Sequence, residues 1–172
     1  MLFKSPQRLK QRVILTLIYS AGLRVSEACN LLISDIDFDR KQIHIRFSKN
    51  DKSRYVILSD LIAKGLQQYI EGAKPKVYLF NGREKGSRLG TSAVQQTFRL
   101  AMDKSGIGKD ASVHTLRHIF ATHLLEQGVD IVTIKEQLGH SDVETTMIYL
   151  HVAQIEKKLA HSPFDRLYIK KS

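Results

Sequence analysis

Apolar positions fall at helical spacing from the start of the legible pattern. In "RLKQRVILTLIYSAG", Val13, Ile14, Leu17 and Ile18 share one side, and Gly22 offers a stop. "VSEACNLL" opens a second helix, with Ser26 or the preceding turn as its cap. The period then changes. In "KQIHIRF", Ile43, Ile45 and Phe47 alternate with His44, Arg46 and Ser48, which predicts a half-buried strand. "YVIL" at 55–58 reads as a second strand, and the polar "SKNDKSR" between them carries Asn50 and Asp51, which tolerate turn conformations. Residues 41–58 are therefore a hairpin, to which "SDIDF" adds a third strand.

Helical spacing returns after the hairpin. It predicts helices over 59–71 and 92–104, with loops at "NGREKGSRLG" and "SGIGKDAS". "HTLRHIFATHL" follows, with an apolar stripe of Leu116, Ile119, Phe120, Leu124 and Leu125. "DIVTIKEQLG" is a short helix closed by Gly139, and a longer helix starts near Asp142 in "DVETTMIYLHVAQIEKKLA". The tail "HSPFDRLYIKKS" is broken by Pro163 and ends basic. The predicted class is mainly α with a small antiparallel β-sheet (α+β). There is no internal repeat, and 172 residues suit a single domain.

Charge changes the picture from scaffold to partner. Lys and Arg number 27 against 17 Asp and Glu, a formal +10, which points to a polyanion: nucleic acid first, an anionic membrane second. The lone cysteine, Cys29, excludes a disulfide framework within the chain and reads as a small buried residue. The longest apolar run is about half of a membrane span, and no signal-peptide pattern is present. An intracellular, soluble protein is expected.

Four segments concentrate groups able to do chemistry. Arg24 follows the Gly22 turn, where it either projects toward a ligand or pairs with Glu27 three residues on. Lys49 and Lys52 sit at the hairpin tip, either as solvated turn residues or as a mobile ammonium that donates a proton. His114 lies in the first turn of its helix, after Ser112 as cap, where an anion is favoured, and Arg117 adds a fork that matches phosphate oxygens. His114 and His118 have the spacing of a zinc pair but lack the usual glutamate and a nearby cysteine, and His118 reads as a hydrogen-bonded core histidine. His140 follows the Gly139 stop, and Tyr149 stands in the next helix, where a tyrosine ordinarily packs in the core. Taken together, arginines to neutralise nonbridging oxygens, histidines to donate or accept protons, a lysine and a phenol are what phosphoryl transfer to tyrosine requires. There is no carboxylate cluster to hold magnesium, so the positive charge must come from the protein.

"GLRVSE", "HTLRH", "LGHSD" and "IYLHV" resemble, in order and spacing, the motifs of the tyrosine recombinases, or phage integrases, of the Xer-like and integron-like kind. The resemblance covers nearly the whole chain and implies that family's catalytic-domain fold. It implies roles: Arg24 as the first clamp arginine, Lys49 as the hairpin general acid, His114 and Arg117 as the H-x-x-R pair, His140 as the second histidine and Tyr149 as the nucleophile. Tyr149 would attack a DNA phosphodiester to form a 3′-phosphotyrosine link and release a 5′-hydroxyl, with no metal or other cofactor. The implied partners are double-stranded DNA and further copies of the chain in a tetramer on that DNA, with no membrane, in the cytoplasm at the nucleoid. Residues 1–172 then form one catalytic domain without the family's N-terminal DNA-clamping domain, and the tail from about 160 to 172 either docks on a neighbouring protomer or folds back. Two other readings are an accessory DNA-binding protein of the same fold and a tyrosine-type topoisomerase that relaxes DNA.

Overall fold

The structure, a computed structural model, describes residues 9–46, 53–84, 86–107 and 110–151. Helix α1 (Leu9–Ser20) is its axis: Val13, Ile14, Leu15, Leu17 and Ile18 are all buried, a spread too wide for a surface helix. Around it pack α2 (Val25–Asn30), α3 (Asp60–Ala73), α4 (Thr91–Ser105) and α5 (Val113–Glu126). The buried sets Ile62, Leu66, Tyr69 on α3 and Val94, Phe98, Ala101 on α4 keep the i, i+4, i+7 spacing read from the sequence. Cys29 is buried in α2, and burial pushes its thiol up to about 11.

The sheet is antiparallel in the order β1 (Ile36–Asp37), β2 (Gln42–Ile45), β3 (Arg54–Ile57). Ile43 faces Val56 and Ile45 faces Arg54 across the central pair. Ile43, Ile45 and Val56 turn into the core while Tyr55 and Ile57 stay exposed, the alternation expected of a half-covered sheet. The expected third strand is shorter than "SDIDF". Residues Ile33–Asp35 form a 3-10 turn instead, because the buried Asp35 carboxylate accepts the Leu32 N–H at 2.9 Å and holds Arg46. The hairpin tip, with Lys49 and Lys52, and the tail from about 160 lie outside the described residues.

Two short helices complete the arrangement: α6 (Ile131–Leu138) and α7 (Glu144–Met147). Asp130 caps α6 by accepting from Val132 and Thr133 N–H at 3.0 and 2.9 Å. Ala121, Leu125, Ile134, Leu138 and Tyr149 form a small second core between α5, α6 and the segment after α7.

Three local expectations are corrected or narrowed. Ile119 is 38% exposed and leaves the α5 stripe; Leu116 and Leu125 carry it, with Phe120 and Leu124 half-buried. Of the two caps offered for α2, Ser26 is set aside and the preceding turn supplies it: Arg24 holds that position in extended backbone, and the Glu27 carboxylate accepts its N–H at 2.8 Å. The helix expected from Asp142 is α7 alone over its described part, followed by a 3-10 turn, Ile148–His151. That turn points Tyr149 inward at 3% exposure and leaves Ile148 and Leu150 outside.

Candidate active site

The site is built at the C-terminal end of α6. A helix end leaves carbonyls without intrahelical partners and carries partial negative charge. Here three consecutive carbonyls each take an arginine from a different element. Arg54 Nε on β3 donates to Gln137 O at 2.9 Å, Arg117 Nη2 on α5 to Leu138 O at 2.5 Å, and Arg24 Nη2 to Gly139 O at 3.3 Å. Arg117 Nη1 donates to Gly22 O at 2.5 Å, tying the same guanidinium to the turn after α1. Two glycines make these approaches feasible. Gly22, at φ +60°, lies so close to Phe120 that a Cβ would sit 2.4 Å from its ring. Gly139, at φ +64°, would place a Cβ 2.9 Å from Arg54 Nη1.

One buried carboxylate answers the three arginines. Glu27, 3% exposed, accepts from Arg54 Nη1 and Nη2 at 2.9 Å each and from Arg24 Nη1 at 2.8 Å, and lies 3.9 Å from Arg117 Nη1. Burial would raise the Glu27 carboxyl; the Arg54 hydrogen bonds and charge, the Arg24 N–H and the Arg117 charge outweigh it and hold the group below its ordinary range. Burial, and then the neighbouring Arg24, push Arg117 down to about 10, which leaves it charged at neutral pH. Three positive charges around one negative charge leave the cluster cationic.

The histidines and the phenol border this cluster. The backbone N–H of His140 closes α6 by donating to Lys135 O at 3.1 Å, and its Nδ1 lies 2.9 Å from Thr146 Oγ1. Burial, then the charges of Arg117, Arg24 and Arg54, hold its imidazole down at about 4, so it is neutral near pH 7. Tyr149 packs its ring in the second core and lies with its hydroxyl 3.0 Å from His118 Nδ1. Burial raises its phenol, against the opposing pull of Arg117 and Arg24. His114 is exposed in the first turn of α5 and acts electrostatically on His118.

Of the six residues singled out for chemistry, the structure brings Arg24, Arg117, His140 and Tyr149 together, with His114 at the border; Lys49 lies outside the described residues. The choice between a ligand-facing Arg24 and an Arg24–Glu27 pair dissolves, since the pair forms within the cluster itself. The core placement expected for His118 is corrected: the residue is exposed on α5, and its partner is the Tyr149 hydroxyl. Sequence reasoning passed over Arg54 and the wider role of Glu27. Their signals were present: Arg54 has the inward parity of Val56 on its strand, and Glu27 stands among Val25, Ala28 and Cys29. An inward arginine and a buried glutamate each need the other. Among the described residues no three His, Cys, Asp or Glu side chains gather as metal ligands, and no helix is long and apolar enough to cross a membrane.

Similarity to known proteins agrees with this geometry. The chain is 39% identical over 155 residues to a tyrosine recombinase of Thermosipho africanus, covering 90% of this chain and 54% of that protein. It is 42% identical over 150 residues to the tyrosine recombinase XerA of Thermococcus onnurineus, covering 86% and 52%. The crystal structure of XerA recombinase superposes with a TM-score of 0.80 at 34% identity, covering 97% of this chain and 59% of that one. XerH recombinase in a post-cleavage complex with a palindromic difH substrate superposes with a TM-score of 0.79 at 26% identity, covering 89% and 47%. The chain thus spans about half the length of the curated relatives it matches. Residues 2–156 match the Phage integrase family, and the chain belongs to that family of tyrosine recombinases.

Proposed function

We propose that this chain is the catalytic domain of a site-specific DNA recombinase that cuts and rejoins strands through a 3′-phosphotyrosine intermediate. The observation that carries the reading is the cationic cluster at the end of α6, with the Tyr149 phenol in the field of Arg117 and Arg24. A guanidinium has five N–H donors, and the bonds above use two on Arg24 and two on Arg117. The remaining donors of Arg24 and Arg117 take the nonbridging oxygens of the scissile phosphate as charge builds in the transition state. Arg54 holds Glu27 and the end of α6, and so positions the other two.

His140 is neutral near pH 7; with Thr146 O–H donating to Nδ1, its Nε2–H donates to the phosphate. His114 supplies a second imidazole at the rim. Lys49 protonates the departing 5′-oxygen, a role that rests on the family resemblance. The arginines provide the charge that a metal ion supplies in other phosphoryl transfers, and the reaction calls for no cofactor. The substrate is double-stranded DNA, the working assembly is a tetramer of this chain on it, and the place of action is the cytoplasm at the nucleoid. The XerH complexes with difH DNA support the DNA assignment.

The test is a covalent trap. Wild type and Tyr149→Phe are mixed with a nicked duplex library and denatured in detergent. A DNA adduct from the wild type alone is expected. Adduct formation by Tyr149→Phe, or none from either protein, would reject the reading.

A further inference from the structure

We propose that His118 is a catalytic residue: its Nδ1 holds the Tyr149 hydroxyl and takes its proton as the phenol attacks the phosphodiester. The inference rests on Tyr149 as nucleophile and adds a role for a residue outside the six assigned above.

The geometry comes first. His118 Nδ1 lies 3.0 Å from Tyr149 Oη, with ring centroids 5.4 Å apart and the rings tilted by 52°. That is within the reach required of a general base before substrate arrives. Tyr149 is 3% exposed while His118 is exposed, so the histidine connects a buried phenol with solvent. The groups facing His118 are His114 and Arg117 on its own helix, Tyr149 from the turn after α7, and His140 beyond α6. Partial burial, then His114 and Arg117, keep the imidazole below its ordinary 6.5, in the form that accepts a proton at neutral pH. The phenol is raised and holds its proton. With the imidazole proton on Nε2, the hydrogen bond runs from Tyr149 O–H to His118 Nδ1.

Among the described residues, His118 is the imidazole within hydrogen-bond distance of Tyr149 Oη. His140 Nδ1 faces Thr146, and both Glu27 oxygens accept from arginines. In the step, the Tyr149 Oη–phosphorus bond forms and its proton passes to Nδ1. The phosphorus–5′-oxygen bond breaks, and that oxygen takes a proton from the general acid. In religation Tyr149 Oη leaves phosphorus and recovers its proton from His118. Arg117 and Arg24 stabilise the partial negative charge on the phenol oxygen, so the proton moves as the new bond develops.

The experiment is single-turnover adduct formation by the full 172-residue chain on a nicked duplex bearing a site selected from the random library. Wild type, Tyr149→Phe, His118→Ala and His118→Asn are compared on an ordinary phosphodiester and on one with a 5′-bridging sulfur. Asparagine keeps an acceptor near the Nδ1 position but cannot take a proton. Both His118 variants should bind DNA as the wild type does and form adduct roughly 10²-fold more slowly near pH 7. Their deficit should shrink as the pH approaches that of phenol ionisation. The sulfur leaving group should not rescue them, because it relieves only the need for an acid. Wild-type rates in either variant, full activity in His118→Asn alone, or rescue by sulfur would each overturn the proposal. Absence of adduct from the wild type would instead reject Tyr149 as nucleophile, and this inference with it.

Discussion

Glu27 stands among Arg24, Arg54 and Arg117 with its side chain almost fully enclosed. Replacing it with glutamine leaves three guanidiniums without a counter-charge in a desolvated place. Glu27→Gln should lower unfolding free energy by about 3 kcal/mol in urea titrations, as when one partner of a buried pair is removed. Arg117→Lys keeps the charge and loses the fork, so adduct formation should drop roughly 10²–10³-fold while DNA binding barely changes. Equal losses in both would argue against a transition-state role. His140 sets a pH dependence. The unfolded chain takes up its proton near the ordinary 6.5 and the fold only at about 4. Its contribution to stability is therefore whole above 6.5, falls as the pH drops toward 4, and is gone below it. Urea midpoints of His140→Gln should show a shallower decline over that window than those of the wild type.

The short helix α6 shows at the element scale how scaffold and site can be separated. Asp130 caps its start, far along the helix from the arginines, and Asp130→Ala should cost about 1 kcal/mol. Gly139→Ala meets a left-handed backbone and the Arg54 side chain, and should cost at least about 1 kcal/mol. Both variants should melt earlier, but only Gly139→Ala should also slow adduct formation, because it pushes on Arg54. Most of this element was legible in sequence: Asp130 and Gly139 bracket a helical period, and the structure gives Ile131–Leu138. The segment carrying Tyr149 was less so. A 3-10 turn over Ile148–His151 differs from an α-helix by a small tightening that the apolar period does not encode. The inward turn of Arg54 was hidden for another reason, since its partner Glu27 lies 27 positions away in the chain.

At the scale of the whole molecule, the formal charge of +10 should dominate DNA affinity. Binding measured across salt should fall linearly on logarithmic axes, with a slope near −0.9 for each phosphate neutralised. A flat salt response would remove the polyanion reading altogether. Arg24, Arg117, His140 and Tyr149 could be singled out together because phosphoryl transfer to a phenol would call for such groups, and the structure places them near one another. The linkage of three arginines to one helix end was not readable, because it depends on how α1, α5, α6 and β3 meet in space.

Tyr149 also belongs to the small core with Ala121, Leu125, Ile134 and Leu138. In the proposed intermediate, then, the cut strand hangs from a wall of the fold rather than from a surface tether. The ester bond keeps the strand on the chain, and the packing between α5 and α6 would set how far its end can stray from the partner strand.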